Sequence, residues 1–397
     1  MASLITTSFF FFHTIALLFF SPASSAVTYN VLSFGARPDG RTDSAGAFLR
    51  AWSSACRSRS PATVYVPAGK FFVSKATFNG PCRNSQIKFS IQGTILASSD
   101  YSSSSGASKE WLAFNNVNGV SIAGGTLDGG GSRLWACKLS GNRRCPTGAS
   151  SLTFGNSKNV AIDGLTSINS KLFHIVILRC ENVKVRRVNI QAAGNSPNTD
   201  GIHLQMSSSV DIVQANIRTG DDCISVGPGT AHLWIERVFC GPGHGISIGS
   251  LGKGQGFQEE SVRNVTVKTT TFSGTTNGLR IKTWGSNIPG QVRQVVFEDA
   301  LMKNVQNPII IDQNYCPGNS GCPGKNSAIR ISQVKYKNVR GTSATPVAVS
   351  FDCSPSNPCR GISMQDIKLS YQNQQAQSSC KFVNGDASGF LAPPSCL

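Results

Sequence analysis

Three acidic positions and a histidine recur at nearly one interval. Asp200 stands in Asn198-Thr199-Asp200, the pair Asp221-Asp222 follows 21 residues on, and His244 lies 22 residues beyond Asp222. Clustered carboxylates suit acid/base hydrolysis of a glycosidic bond. One protonated acid serves the leaving oxygen and a second carboxylate works from the far side, about 6.5–9.5 Å away in inverting enzymes and about 5–5.5 Å away in retaining ones. Like charges held together cannot all ionise freely, so at least one of these groups is expected to have a raised pKa, as a general acid requires. A single Asp in a turn ordinarily makes a local backbone hydrogen bond. A calcium site is the other use of such a cluster, and the periodic histidine, a poor hard-cation ligand, argues against it. Further on, Arg280-Ile281-Lys282 puts two cations on one face of a strand with Ile281 turned inward. Solvated surface charge is the ordinary fate of such a pair, but a planar guanidinium fork beside a mobile ammonium also suits a sugar carboxylate.

Interval spacing means something only if the chain stacks. Short β-branched tetrads recur: Gly119 to Ile122, Asn159 to Ile162, Asn182 to Val185, Ser209 to Ile212, His232 to Ile235, Asn264 to Val267 and Gln294 to Phe297, with Ala328 to Ile331 as a continuation. From Val160 onward the steps between second residues are 23, 27, 23, 32 and 30. Alternation in four-residue pieces marks strands, and a unit of this length marks a solenoid. Each unit holds two or three strands, as in 183–185, 189–191 and 201–205, separated by Gly/Asn/Ser turns. A β-sandwich would also give many short strands, but the repeated opening dipeptide favours an all-β parallel β-helix. Residues one coil apart are then about 4.8 Å apart on one face. Adjacent aspartates in an extended strand would point oppositely, so the chain must bend at Asp221-Asp222, and Gly220 permits it. Between Gly243 and Gly245, His244 is expected on flexible backbone with little packing. Although glycine-rich, the segment 241–252 lacks the P-loop pattern.

Solenoid ends need caps. Thr42-Asp43 can start a helix from Ser44 to about Ala55, with Ala47, Phe48, Ala51, Trp52 and Ala55 on one face over the first coil. The cysteine-rich tail from Cys353 to Cys396 is expected to brace the other end. All thirteen cysteines lie beyond an apolar N-terminal run that ends in Ser24-Ser25-Ala26. That run reads as a cleaved secretory leader, residues 1–26, despite lacking an N-terminal positive charge; residues 27–397 read as one domain. Proximity suggests bridges Cys56–Cys82, Cys137–Cys145, Cys223–Cys240, Cys316–Cys322, Cys353–Cys359 and Cys380–Cys396, with Cys180 a buried free thiol. Asn264-Val265-Thr266 is a glycosylation sequon at Asn264.

Forty glycines argue against a helical protein. The net charge of +17 survives leader removal, because the leader carries no charged side chain. Such a surface favours polyanions. In a secreted protein the candidates are acidic polysaccharides, membrane surfaces and, less plausibly, nucleic acid. No zinc-finger, homeodomain or stacked-aromatic RNA motif is present, and the charge alone does not choose among them.

The motifs Asn198-Thr199-Asp200, Gly220-Asp221-Asp222, Gly243-His244-Gly245 and Arg280-Ile281-Lys282, in this order, resemble those of the polygalacturonases of glycoside hydrolase family 28. The resemblance runs from Tyr29-Asn30-Val31 through Gly125-Thr126-Leu127-Asp128-Gly129 to Asn314-Tyr315-Cys316, and residues 196–203 and 276–284 are similar to the plant branch. It implies a right-handed parallel β-helix and inverting hydrolysis of α-1,4 bonds between galacturonic acid units of pectin. Asp221 would be the general acid, and Asp200 and Asp222 would position and deprotonate water. His244 would support the acid, while Arg280, Lys282, Tyr315 and Asn198 would bind the sugar. No metal or other cofactor, a monomer, no stable membrane association and a cell-wall location are expected. The segment 274–277 resembles pollen-type exo-acting members, although the loops that would close a groove are not legible. The competing readings are a calcium-dependent pectate lyase, a rhamnogalacturonan hydrolase and a non-catalytic pectin-binding wall protein.

Overall fold

The computed structural model describes residues 26–101, 109–254, 259–319, 321–324 and 326–397; the leader therefore lies outside the described residues, apart from Ala26. Strands from Val27 to Ala392 stack almost wholly in parallel, each on its counterpart in the next coil. The fold is a parallel β-helix. One hydrogen-bonded network covers two faces of the coil, and a separate eleven-stranded sheet forms the third.

The repeated dipeptide marks a corner. Asn159, Asn182, Ser209, His232, Asn264 and Gln294 all have left-handed backbone, φ 53–57°. Asn tolerates that conformation best, because its short side chain hydrogen-bonds locally. The side chains also ladder between coils: Asn182 donates to Asn159 (2.6 Å) and Asn159 to Asn118 (2.7 Å). The following residues, Val160, Val183, Val210, Leu233, Val265 and Val295, pair in register and are all buried. The series continues at Val334, which pairs with Val295; Ile329 and Ile331 lie opposite Gly290 and Val292 instead. The expected tetrad at Ala328 is therefore out of step. Gln333, with φ 55°, takes the corner. Strand Ile329–Ser343 is long enough to hold several alternating tetrads, so alternation alone does not fix the corner.

A helix, Ala45–Arg57, packs its buried face (Ala45, Ala47, Phe48, Ala51, Trp52, Ala55) onto the first coils. Its cap differs slightly from expectation. Ser44 is the first non-helical residue, and Asp43 accepts from the Ala45 amide (3.0 Å) while also holding Ser74. Beneath it Trp52, Phe78, Phe89, Phe114 and Phe154 form a chain of ring contacts. At the far end the tail is more than a brace, because Gln377–Lys381 and Val383–Ala392 form further coil strands. All six expected disulfides are present, and Cys180 is free and buried. Among the described residues no helix is long and apolar enough to cross a membrane.

Candidate active site

The eleven-stranded sheet positions the site. Its strands Ile202–Gln205, Ile224–Val226, Ile246–Leu251 and Asn277–Thr283 align Ile202, Ile224, Ile246 and Leu279 toward the core. Strand alternation then turns the next residues outward: His203, Ser225, Ser247 and Arg280. Asp200, Asp222 and His244 each stand two residues before an aligned isoleucine, in the bend that enters the strand. Backbone bonds lock these bends together: Gly201 N–H donates to Asp222 O and His244 N–H to Asp221 O, both at 2.9 Å.

Asp222 is the most heavily bonded of the three acids. Its Oδ1 accepts from Arg280 Nη2 (2.7 Å) and Ser247 Oγ (2.8 Å), and its Oδ2 from Lys282 Nζ (2.7 Å). Burial alone would raise its pKa, but the Lys282 and Arg280 charges and these hydrogen bonds outweigh it and hold the carboxylate well below the usual range. A carboxylate so paired stays ionised at every working pH.

Asp200 is also buried but lacks a direct cation. Burial first, then the Asp221 and Asp222 charges, push its pKa well above the ordinary value, against the opposing hydrogen bond from Ser225. Ser225 Oγ donates to Asp200 Oδ2 (2.6 Å) and lies 2.8 Å from His203 Nδ1. Because the serine hydroxyl gives its one proton to Asp200, Nδ1 must be the donor on His203. Burial lowers the His203 pKa to about 4, so the ring is neutral, and it stacks on Phe173 with centroids 4.7 Å apart.

Asp221 is the carboxylate that still reaches solvent: its side chain is 19 % exposed, against 2 % for Asp222. Asp221 Oδ1 accepts from the Asp222 amide (2.7 Å) and faces His244 Nδ1 at 3.1 Å. The bend separates the two aspartates as the sequence requires, but Gly220 has no positive φ. It is glycine because a Cβ there would lie 2.3 Å from Ser196 O. Nor is His244 loosely held. Gly245 has φ 85°, and a Cβ on it would stand 2.1 Å from Asn277 O, so close packing fixes the histidine's backbone.

Asp221, Asp222 and His244 present potential ligand atoms within 4.8 Å of one another. The donor set does not fit a cation, because both oxygens of Asp222 are already bonded to Arg280 and Lys282.

Tyr315 lies over the cations, its ring centroid 5.2 Å from Lys282 Nζ and 5.9 Å from the Arg280 guanidinium, and meets Trp284 edge-on. The structure thus brings Asp200, Asp221, Asp222, His244, Arg280, Lys282 and Tyr315 into one groove. Asn198, two residues before Asp200, is exposed with left-handed backbone, φ 58°. Asn264 is exposed on another face and bonds His232. Sequence reasoning missed Ser225, Ser247 and His203. Each lies three residues after a site residue (Asp222, His244, Asp200), which is the first outward position once the strand begins.

A buried floor of paired charges below one accessible carboxylate, on one face of a solenoid, is an arrangement for hydrolysing a glycosidic bond. Comparison with known proteins gives the class its family. The sequence matches Glycosyl hydrolases family 28 over residues 56–389, and the chain belongs to that family. It is 56% identical to a polygalacturonase of Prunus persica over 377 residues, 95% of each chain. It is 42% identical to an exopolygalacturonase of Platanus acerifolia, covering 93% of this chain and 98% of that one. In fold it resembles the endo-xylogalacturonan hydrolase of Aspergillus tubingensis, with a TM-score of 0.77 at 22% identity, over 92% of this chain and all of that one.

Proposed function

We propose that the protein is a secreted cell-wall polygalacturonase that hydrolyses α-1,4 bonds between galacturonic acid units of pectin with inversion. The observation that carries this reading is the pair of cations beneath Tyr315. Arg280 and Lys282 each give Asp222 a single hydrogen bond and still lie under the Tyr315 ring with N–H donors left over. A sugar carboxylate fits that remainder.

In this mechanism Asp221, the accessible acid, protonates the leaving oxygen, with His244 holding its Oδ1 side. Ionised Asp222 orients the attacking water. Asp200, within electrostatic reach of Asp222 and bonded by Ser225, takes the proton as the other member of the water-activating pair. Asn198 assists substrate binding. Six disulfides among the described residues suit an oxidising compartment, and exposure of Asn264 supports its reading as a glycosylation site.

The test is Asp221→Asn. It should abolish reducing-end release from polygalacturonate while circular dichroism stays that of the native solenoid. Turnover like that of the unsubstituted protein would remove Asp221 as the acid. Product sizing, monomer against a ladder of oligomers, decides between exo and endo action.

A further inference from the structure

Outside the groove, the late coils carry a basic recess of about 540 Å3, lined by Gln291, Arg330, Ser332, Ser356, Asn357 and Arg360. Register builds its floor. Val292 and Ile331 pair and point into the core, so Gln291, Arg330 and Ser332 point outward, and Arg293, Ser332 and Arg360 align across three successive coils. The disulfide loop Cys353–Cys359 forms its wall. That wall is fixed: Asn357 donates to Ser327 O (3.0 Å), and Ser356 Oγ accepts from Asn326 (2.9 Å).

The recess is short of negative charge. Among the described residues no carboxylate lies within ion-pair distance of Arg293, Arg330 or Arg360. Arg293 is half-buried, and its Nε is a buried donor with no partner. The acid at the rim, Glu259, already accepts from Gln291 (3.2 Å) and Ser261 (2.8 Å). Guanidinium forks beside hydroxyl and amide groups are a carboxylate-binding chemistry.

Location selects the ligand. Tyr315 of the groove also lines a smaller recess of about 360 Å3 together with Asn314 and Asn326. Asn326 in turn bonds Ser356 of the basic recess. The two recesses therefore meet at the Asn326–Ser356 contact, and the smaller one reaches Tyr315.

We propose that the recess is an auxiliary site for uronate carboxylates of the same acidic polymer that occupies the groove. It holds a distal stretch of chain and raises the effective concentration of the rest at the catalytic acids. This rests on the polygalacturonase reading of the groove.

The experiment compares the unsubstituted protein with the double variant Arg330→Ala/Arg360→Ala on long polygalacturonate and on trigalacturonate, which is too short to span both sites. Both side chains are exposed, so folding should be unaffected. Loss of two exposed charge contacts should raise KM for the polymer about three- to tenfold, leaving kcat and all trimer kinetics unchanged. An unchanged polymer KM overturns the auxiliary site and leaves the hydrolase reading standing. Equal losses on polymer and trimer overturn it too, since they place the effect in the groove. If the unsubstituted protein does not cleave polygalacturonate, the functional reading falls. Calorimetric binding of polygalacturonate to the Asp221→Asn protein, with and without the arginine substitutions, still decides the recess: equal affinities refute it and weaker binding without the arginines supports it.

Discussion

Ser225→Ala isolates the base from the rest of the groove. The hydroxyl gives Asp200 its one short hydrogen bond from a side chain, at 2.6 Å, and that bond works against the burial and like charge that raise the carboxyl's pKa. A hydrogen bond to a charged group contributes about 1.5–3 kcal/mol. Its removal should therefore raise the Asp200 pKa further. The sign follows from the role: a base must be ionised to accept a proton, so a higher pKa moves the acidic limb of the kcat profile toward neutrality. At a pH below the limb the variant should be about 10- to 100-fold slower, and on the alkaline side of the limb the two enzymes should nearly converge. Reducing-sugar release from polygalacturonate across a pH series measures this directly. A uniform loss of rate with an unmoved acidic limb would refute the assignment of Asp200 as the titrating base and leave Ser225 a packing residue.

Stability should follow the same electrostatics in two opposite ways. Asp200→Asn should stabilise the fold at neutral pH: the folded pKa is raised, so the native carboxyl's contribution is full below the ordinary carboxylate range and is lost as pH rises through the raised value. Calorimetry should find Tm about 2–4 °C higher at pH 7 and no difference near pH 3. Lys282→Ala should do the reverse, leaving Asp222 buried with Arg280 alone. Urea unfolding should show a loss of about 3 kcal/mol, and KM for polygalacturonate should rise, because the donor facing the sugar carboxylate is gone.

The solenoid was legible because its corners demand a chemistry that few residues supply. A left-handed corner at every coil favours Asn, and the next residue must fill the core, so Asn-Val recurs at residues 159, 182 and 264 and is echoed by Ser209-Val210 and His232-Leu233. Legibility fails where that selection relaxes. Gln333 occupies the corner of a later coil, and just before it Ile329 and Ile331 mimic the core pattern five residues early. The disulfides were legible from short separations, 6 to 26 residues. The acids and cations were visible as motifs. Ser225 and Ser247 were not, because serine is ordinary in a glycine-rich chain and its meaning appears only in register with Asp200 and Asp222. The glycines around the site were visible but misread: close backbone approach, more than freedom to bend, is what Gly220 and Gly245 serve.

Stacking gives this groove its chemistry and also its difficulty. A coil spacing of about 4.8 Å forces Asp200, Asp222 and His244 onto one face, where three neighbouring carboxylates would repel one another out of use. The remedy comes from the strand one coil beyond His244, Asn277–Thr283, whose outward residues 280 and 282 both reach Asp222. Neutralising Asp222 alone keeps that acid ionised, leaves Asp200 under the full weight of burial, and leaves Asp221 at the surface. The three aspartates thereby acquire three different environments from a repeat that would otherwise make them equivalent. The two cations also keep N–H donors free beneath Tyr315. The net charge of +17 can draw any polyanion, whereas those donors, two coils from Asp222, would set where a sugar carboxylate stops in the proposed reaction.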